Sequence, residues 1–374
     1  MVTVRRTTLL VLLVLLASIG VGNFSADAAL HRAPVKVFID TDIGVDDATA
    51  IAWLLQEQST NVVGFTTVMG NTTVENATQN LLTLLDAAHR RQLPVTIGAA
   101  APLTVPRSHV GALSHGPSGL WFSQVPHSLS GIPTDAPAAI AAAARANRGM
   151  TLLALGPLTN VAQAAQRFPR DMARVHIITL VGSHGPGNRT PLAEFNAFAD
   201  PQALDIVLES GLDVTLVTLD AFEMVQVDSV KFPQKLNQKG GAVGQLLASA
   251  LTPYFQAETQ GAGGNGTIPD AAAAIYALRP DLGSATSGLV DIATDSGLTR
   301  GQTVMALDPN AKVTMIADDA ELSALADRAF TDPNFDINAA IFAILSRRPD
   351  NAKVVLVVKG RAMADLLEQG LTHR

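Results

Sequence analysis

The sequence VKVFIDTDIGVDDATAIAWLL, residues 35–55, passes from a buried strand into a helix through a run of carboxylates. Its β-branched and apolar positions Val35, Val37, Phe38 and Ile39 give way to Asp40, Asp42, Asp46 and Asp47. Ala48, Ile51, Ala52, Leu54 and Leu55 then recur at helical spacing. In an α/β sheet this reads as a strand ending at its carboxyl edge, a turn at Gly44 and a helix N-terminus. Carboxylates this crowded repel one another, and burying them uncompensated is costly. A hard cation that takes oxygen ligands resolves the repulsion. Helix capping and the helix dipole account for Asp46 and Asp47 alone, and leave Asp40 and Asp42 without a purpose.

Outward from this stretch the same rhythm repeats. Strands are expected at 62–68, 95–97, 151–155, 175–181 and 214–219, with helices after most of them. The alternation predicts one large α/β domain with a mostly parallel, Rossmann-like central sheet flanked by helices. Residues 288–316 alternate like a hairpin and predict a small antiparallel appendage or sheet edge. Residues 98–135 break the pattern with Pro, Gly, Ser and the scattered His109, His115, Trp121 and His127, a loop long enough to be functional.

Composition bounds the rest. The 374 residues are 48% hydrophobic and 16% charged, which suits a well-buried core, and the net charge of −7 argues against a general nucleic-acid-binding surface. The N-terminus is set apart: Arg5 and Arg6 precede an apolar run at 9–16, and Ala26-Asp27-Ala28 offers a small-x-small cleavage site. This pattern predicts a signal peptide at 1–28, a mature domain at 29–374, export, and no stable membrane span after processing. With no cysteine in the chain, an oxidising destination imposes no disulfide framework.

Three further polar clusters fall where strands end: Asn71; Asn188, Glu194 and Asn196; and Asp270 behind a glycine-rich stretch. Ligands of open α/β sheets bind outside the carboxyl ends of the strands. The convergence predicts a pocket of carboxylates and carboxamides, suited to a polyhydroxylated ligand.

The ordered set Asp40-Thr-Asp42-Ile-Gly44-Val-Asp46-Asp47, Met69-Gly70-Asn71, His115-Gly116, Leu155-Gly156-Pro157-Leu158-Thr159-Asn160, Glu194-Phe195-Asn196, Asp200-Pro201, Asp270 and Thr299-Arg300-Gly301 resembles the inosine-uridine nucleoside hydrolases across most of the mature chain. The resemblance implies a Ca2+ ion held by Asp42, Asp47, Asp270 and the Leu155 carbonyl, all oxygen donors. It implies Asp42 as general base, and Asp46, Asn71, Asn188, Glu194 and Asn196 as groups on the ribose, with His115 beside them and Asp40 supporting the site from behind. It implies a ribonucleoside substrate and a homo-oligomer, dimer or tetramer.

One departure stands out. Pyrimidine-capable relatives place a His just before the aspartate matching Asp270; here Pro269 occupies that position and has no proton to give the leaving base. Purine preference is the expectation, with Trp121, Phe122, Tyr254 or Phe255 as stacking partners and His115 or His184 as acids. Two other readings compete. Phe38-Ile39-Asp40-Thr41-Asp42 also resembles the strand-end Asp-x-Asp of haloacid-dehalogenase-type phosphatases. A calcium-dependent nucleoside or sugar binding protein without turnover would share every ligand residue.

Overall fold

The computed structural model describes residues 33–372 apart from Ser296, so the expected signal peptide lies outside the described residues. Eleven strands are present there: β1 (Val35–Thr41), β2 (Thr60–Thr67), β3 (Val95–Ile97), β4 (Thr151–Ala154), β5 (His176–Leu180), β6 (Asp213–Val217), β7 (Gln226–Asp228), β8 (Asn265–Thr267), β9 (Gly283–Ile292), β10 (Thr303–Ala306) and β11 (Ala352–Val358). Nine form one sheet in the order β10-β9-β11-β6-β5-β4-β1-β2-β3. Seven neighbours from β11 to β3 run parallel, and β9 and β10 add an antiparallel edge. The six N-terminal strands of this sheet follow the doubly-wound order, whose direction of winding reverses between β1 and β4. That switch point opens a crevice beyond the strand ends, beside Asp42 and Leu155.

Strand alternation builds a layer on each side. Val37 and Ile39 of β1 join one apolar cluster with Leu153 and Leu155, while Phe38 joins another with Leu152 and Ala154. Helices cover both faces, so the strands read as continuous apolar runs.

The helix Val45–Gln56 is buried from Val45 to Leu55, and it packs against the helix Pro269–Leu278. Ala271, Ala272, Ala273 and Ala274 are fully buried along the second helix. These small side chains allow close approach, and both helices carry aspartates in their first turns. Packing the two N-termini side by side is what brings Asp46 and Asp47 to Asp270.

Two details differ from the sequence expectation. The hairpin pattern stops at Ala306: residues Pro309–Ile316 are helical, because Asp308 caps the N–H groups of Asn310 and Ala311 and Pro309 fits the first helical position. A two-stranded antiparallel sheet, β7 with β8, forms from segments of three residues each, too short to show a period. The long 98–135 segment is anchored: Gln79 and Thr83 on the helix Val74–Ala87 hold the backbone of His127 and Val125.

Candidate active site

The crevice at the switch point is a cavity of about 460 Å3, within the range of small-molecule sites. Asp46, Asn71, His115, Leu155, Asn188, Glu194, Asn196 and Asp270 line it. Asp42, Asp47 and Asp40 lie beneath, each at most 1% exposed.

Asp42 sits where β1 has ended. Its Oδ2 accepts the Asn71 N–H at 2.6 Å, and its Oδ1 has no partner. Two glycines make its room: a Cβ on Gly70 would collide with Oδ2, and one on Gly156 would stand 2.8 Å from Oδ1. Both glycine motifs of the sequence are thus explained by one carboxylate. Asp47 is held more fully, accepting from Thr41 Oγ1 at 2.5 Å, the Gly44 N–H at 2.8 Å and Asn71 Nδ2 at 3.1 Å. Asp46 Oδ1 and Asp270 Oδ1 are buried without partners. Asp46, Asp47 and Asp270 each bring a carboxylate oxygen into one group, all within 4.8 Å, that could hold a metal ion.

Electrostatics agree with that geometry. Burial and then mutual repulsion push Asp42 and Asp270 well above the carboxylate range. Burial raises Asp46 to about 6 and raises Asp47 as well. Three unpartnered buried oxygens amid like charges form a donor set that suits a divalent hard cation.

Asp40 does not touch the cavity. Its Oδ1 accepts from Thr66 Oγ1 at 2.5 Å and from Asn160 Nδ2 at 2.8 Å, and burial raises it to about 6. A carboxylate enclosed in this way is a poor nucleophile, which removes the basis of the phosphatase reading. Asn160 also ties the Thr67 carbonyl and the Ala99 N–H, and Thr159 ties Asp200. The segment from Leu155 to Asn160 therefore fastens the end of β2, the Ala99 segment and the Asp200 helix cap behind the site.

On the opposite wall, Glu194 caps the helix Phe195–Ala199. Its oxygens accept the N–H groups of Gly182, Asn196 and Ala197, while burial raises it to about 7. Asn196 Nδ2 donates to the Leu155 and Leu180 carbonyls, which leaves its Oδ1 as the pole available to a ligand. The Leu155 carbonyl therefore already carries one hydrogen bond and keeps its second lone pair. Asn188 Oδ1 accepts the Phe195 N–H.

His115 ends a short helix in the long loop. Its Nδ1 accepts the Val45 N–H at 3.2 Å and lies 3.6 Å from Asp46. Burial lowers its pKa to about 4, so the ring is neutral with its proton on Nε2. Its ring lies 5.4 Å from that of Tyr254.

Of the aromatic residues considered from sequence, Tyr254 lines the cavity; Trp121, Phe122 and Phe255 do not, and Phe122 is 86% exposed. His184, His109 and His127 are likewise outside it. The sequence reading missed Phe222, Glu223, Glu258, Thr267 and Arg189, all on the cavity wall. Tyr254 and Glu258 stand four residues apart on the helix Gly241–Glu258, the one spacing that could have signalled a shared face. Arg189 stacks on Phe198, 4.6 Å from its centroid.

Solved structures share this architecture. A plant nucleoside hydrolase, PpNRh1, superposes with a TM-score of 0.74 at 28% identity, covering 91% of this chain and all of that one. The purine-preferring ribonucleoside hydrolase from Gardnerella vaginalis shares the fold, with a TM-score of 0.73 at 22% identity over 90% of this chain and 98% of its own. Fold and carboxylate crevice together define a nucleoside hydrolase, a hydrolase of N-glycosyl bonds. The family described as inosine-uridine preferring nucleoside hydrolase matches residues 37–363, and the chain belongs to that family. The chain is 35% identical over 282 residues to the non-specific ribonucleoside hydrolase RihC of Escherichia coli, covering 73% of this chain and 89% of the relative. It is 33% identical over 284 residues to probable uridine nucleosidase 2 of Oryza sativa subsp. japonica, covering 74% and 84%.

Proposed function

We propose that this protein is an exported, calcium-dependent hydrolase of ribonucleosides, with purine nucleosides preferred, releasing free base and ribose. The observation that carries the reading is the set of buried, unpartnered oxygens on Asp42, Asp46 and Asp270 around one crevice. Asp42, Asp47, Asp270 and the Leu155 carbonyl would hold the ion. When bound, calcium would supply charge neutralisation, a lowered pKa for water and an anchor for sugar hydroxyls.

The side chains carry the remaining steps. Asp42, with Oδ1 free and Oδ2 fixed by Asn71, accepts the proton of the attacking water. The water attacks C1′ of the ribosyl unit as the bond to the base lengthens. Asp46 and Asn196 Oδ1 accept from ribose hydroxyls and orient the ring, while Asn71, Asn188 and Glu194 hold its remaining edges. The surrounding carboxylates stabilise the oxocarbenium-like charge that develops on the sugar. Purine preference is supported by Pro269, which cannot donate to a pyrimidine.

The test is a panel of purine and pyrimidine ribonucleosides assayed for reducing sugar with and without calcium. Chelation should inactivate reversibly, and Asp42→Asn should lower kcat by about 100-fold or more while far-UV dichroism is unchanged. An Asp42→Asn enzyme as active as wild type would sink the assignment of the base. Tight nucleoside binding without any released ribose would instead establish a binding protein. Export and cleavage after Ala28 are read by N-terminal sequencing of the mature protein, and a dimer or tetramer by light scattering.

A further inference from the structure

The wall of the cavity around Pro269 is acidic. Glu258 is fixed there: the Thr267 N–H donates to its Oε1 at 3.1 Å and its Oε2 at 3.3 Å, and Thr267 Oγ1 also bonds Oε1. Glu223 is a second carboxylate on the same cavity, and neither it nor Glu258 has a cationic side chain within ion-pair distance among the described residues. The cationic side chain that does line the cavity, Arg189, stacks on Phe198 beside Asn188, on the sugar side. Tyr254, one turn before Glu258, adds an aromatic ring.

The donors on this wall, the Tyr254 hydroxyl and the Nε2–H of His115, are those of a phenol and a neutral imidazole, both weak acids. Pro269 adds no donor. His115 accepts the Val45 N–H at Nδ1, which leaves Nε2 as its donor. A neutral base leaving from C1′ needs a proton, whereas a base that already carries a fixed positive charge does not.

We propose that, within one class of base, the enzyme prefers ribonucleosides whose base is cationic, such as 7-alkylated purine nucleosides or N-ribosylpyridinium compounds, over their neutral counterparts, with Glu258, Glu223 and the Tyr254 ring as the recognition elements. This rests on the nucleoside hydrolase reading above. The bond changes balance without an acid. The water oxygen bonds to C1′, its proton passes to Asp42, and the C1′–N bond breaks with its electron pair returning to the ring nitrogen. The cationic ring thereby leaves as a neutral base. The two carboxylates attract the charge of the bound substrate, and the ring face of Tyr254 adds a cation–π contact.

The experiment compares kcat/KM for 7-methylguanosine with guanosine, and for N-ribosylnicotinamide with uridine, using the calcium-loaded enzyme. The expected result is a preference of about tenfold or more for the cationic member of each pair. Cationic glycosides are intrinsically more labile, so the wall is tested separately with Glu258→Gln and Glu223→Gln. Each should shrink the cationic-to-neutral ratio severalfold, acting chiefly through KM. Neutral nucleosides cleaved as well as cationic ones would overturn the proposal and leave the nucleoside hydrolase reading standing. A cationic preference undiminished in both variants would overturn the assignment of the wall. No cleavage of any nucleoside would overturn both readings.

Discussion

Asp42 shows how much of a site can depend on atoms that are missing from its neighbours. Gly70 and Gly156 press against its two oxygens with no Cβ between them. Gly70→Ala should drive the carboxylate out of place, lowering kcat by about 100-fold and stability by about 1–3 kcal/mol. Steady-state kinetics and urea melts would check both, and an alanine variant with native kcat would show that Asp42 tolerates displacement. Glu194 makes the complementary case, since three backbone N–H groups converge on its oxygens. Glu194→Gln turns one acceptor into a donor that faces an N–H, and should cost about 1–2 kcal/mol in the same melts. The aspartates of the opening stretch were legible in sequence because an apolar strand ends on them abruptly. Glu223 and Glu258 were not, since each reads as an ordinary solvated glutamate until the cavity shows what it faces.

At the scale of elements, the decisive contact is that of the helix Val45–Gln56 with the helix Pro269–Leu278. Ala274 is fully buried and lies one turn from Asp270 on the same face. Ala274→Leu should wedge the helices apart, lowering stability by about 1–3 kcal/mol and weakening calcium binding measured by calorimetry. Unchanged calcium affinity in a destabilised variant would separate the packing from the site. The parallel sheet and its flanking helices were readable because their apolar periods are long. The β7–β8 pair and the helix Pro309–Ile316 were not: three-residue strands carry no period, and one cap at Asp308 overrode an alternating pattern.

For the whole molecule, pH dependence follows from burial. Asp40 and Asp46 rise to about 6 and Glu194 to about 7, so the folded chain holds these protons more tightly than the unfolded one. Their contribution is fully present below the ordinary carboxylate range, near pH 4, and is lost as pH rises through about 7. The calcium-free protein should therefore lose thermal stability between pH 5 and pH 8. Calcium should restore it more at pH 8 than at pH 5, because the ion takes the place of protons. Scanning calorimetry at the two pH values checks this, and an equal calcium shift at both would contradict it.

The residues expected to hold the ion come from distant parts of the chain: Asp42 and Asp47 from its first strand and helix, Asp270 from a helix laid down only after six of the nine strands of the main sheet. No local fragment can contain the site. An ion held there closes a circuit through the greater part of the polypeptide, so its release should accompany global unfolding and not the fraying of any one loop. Calcium would then serve this protein as a check on assembly, binding only when a helix made about two hundred residues later has come home to the first.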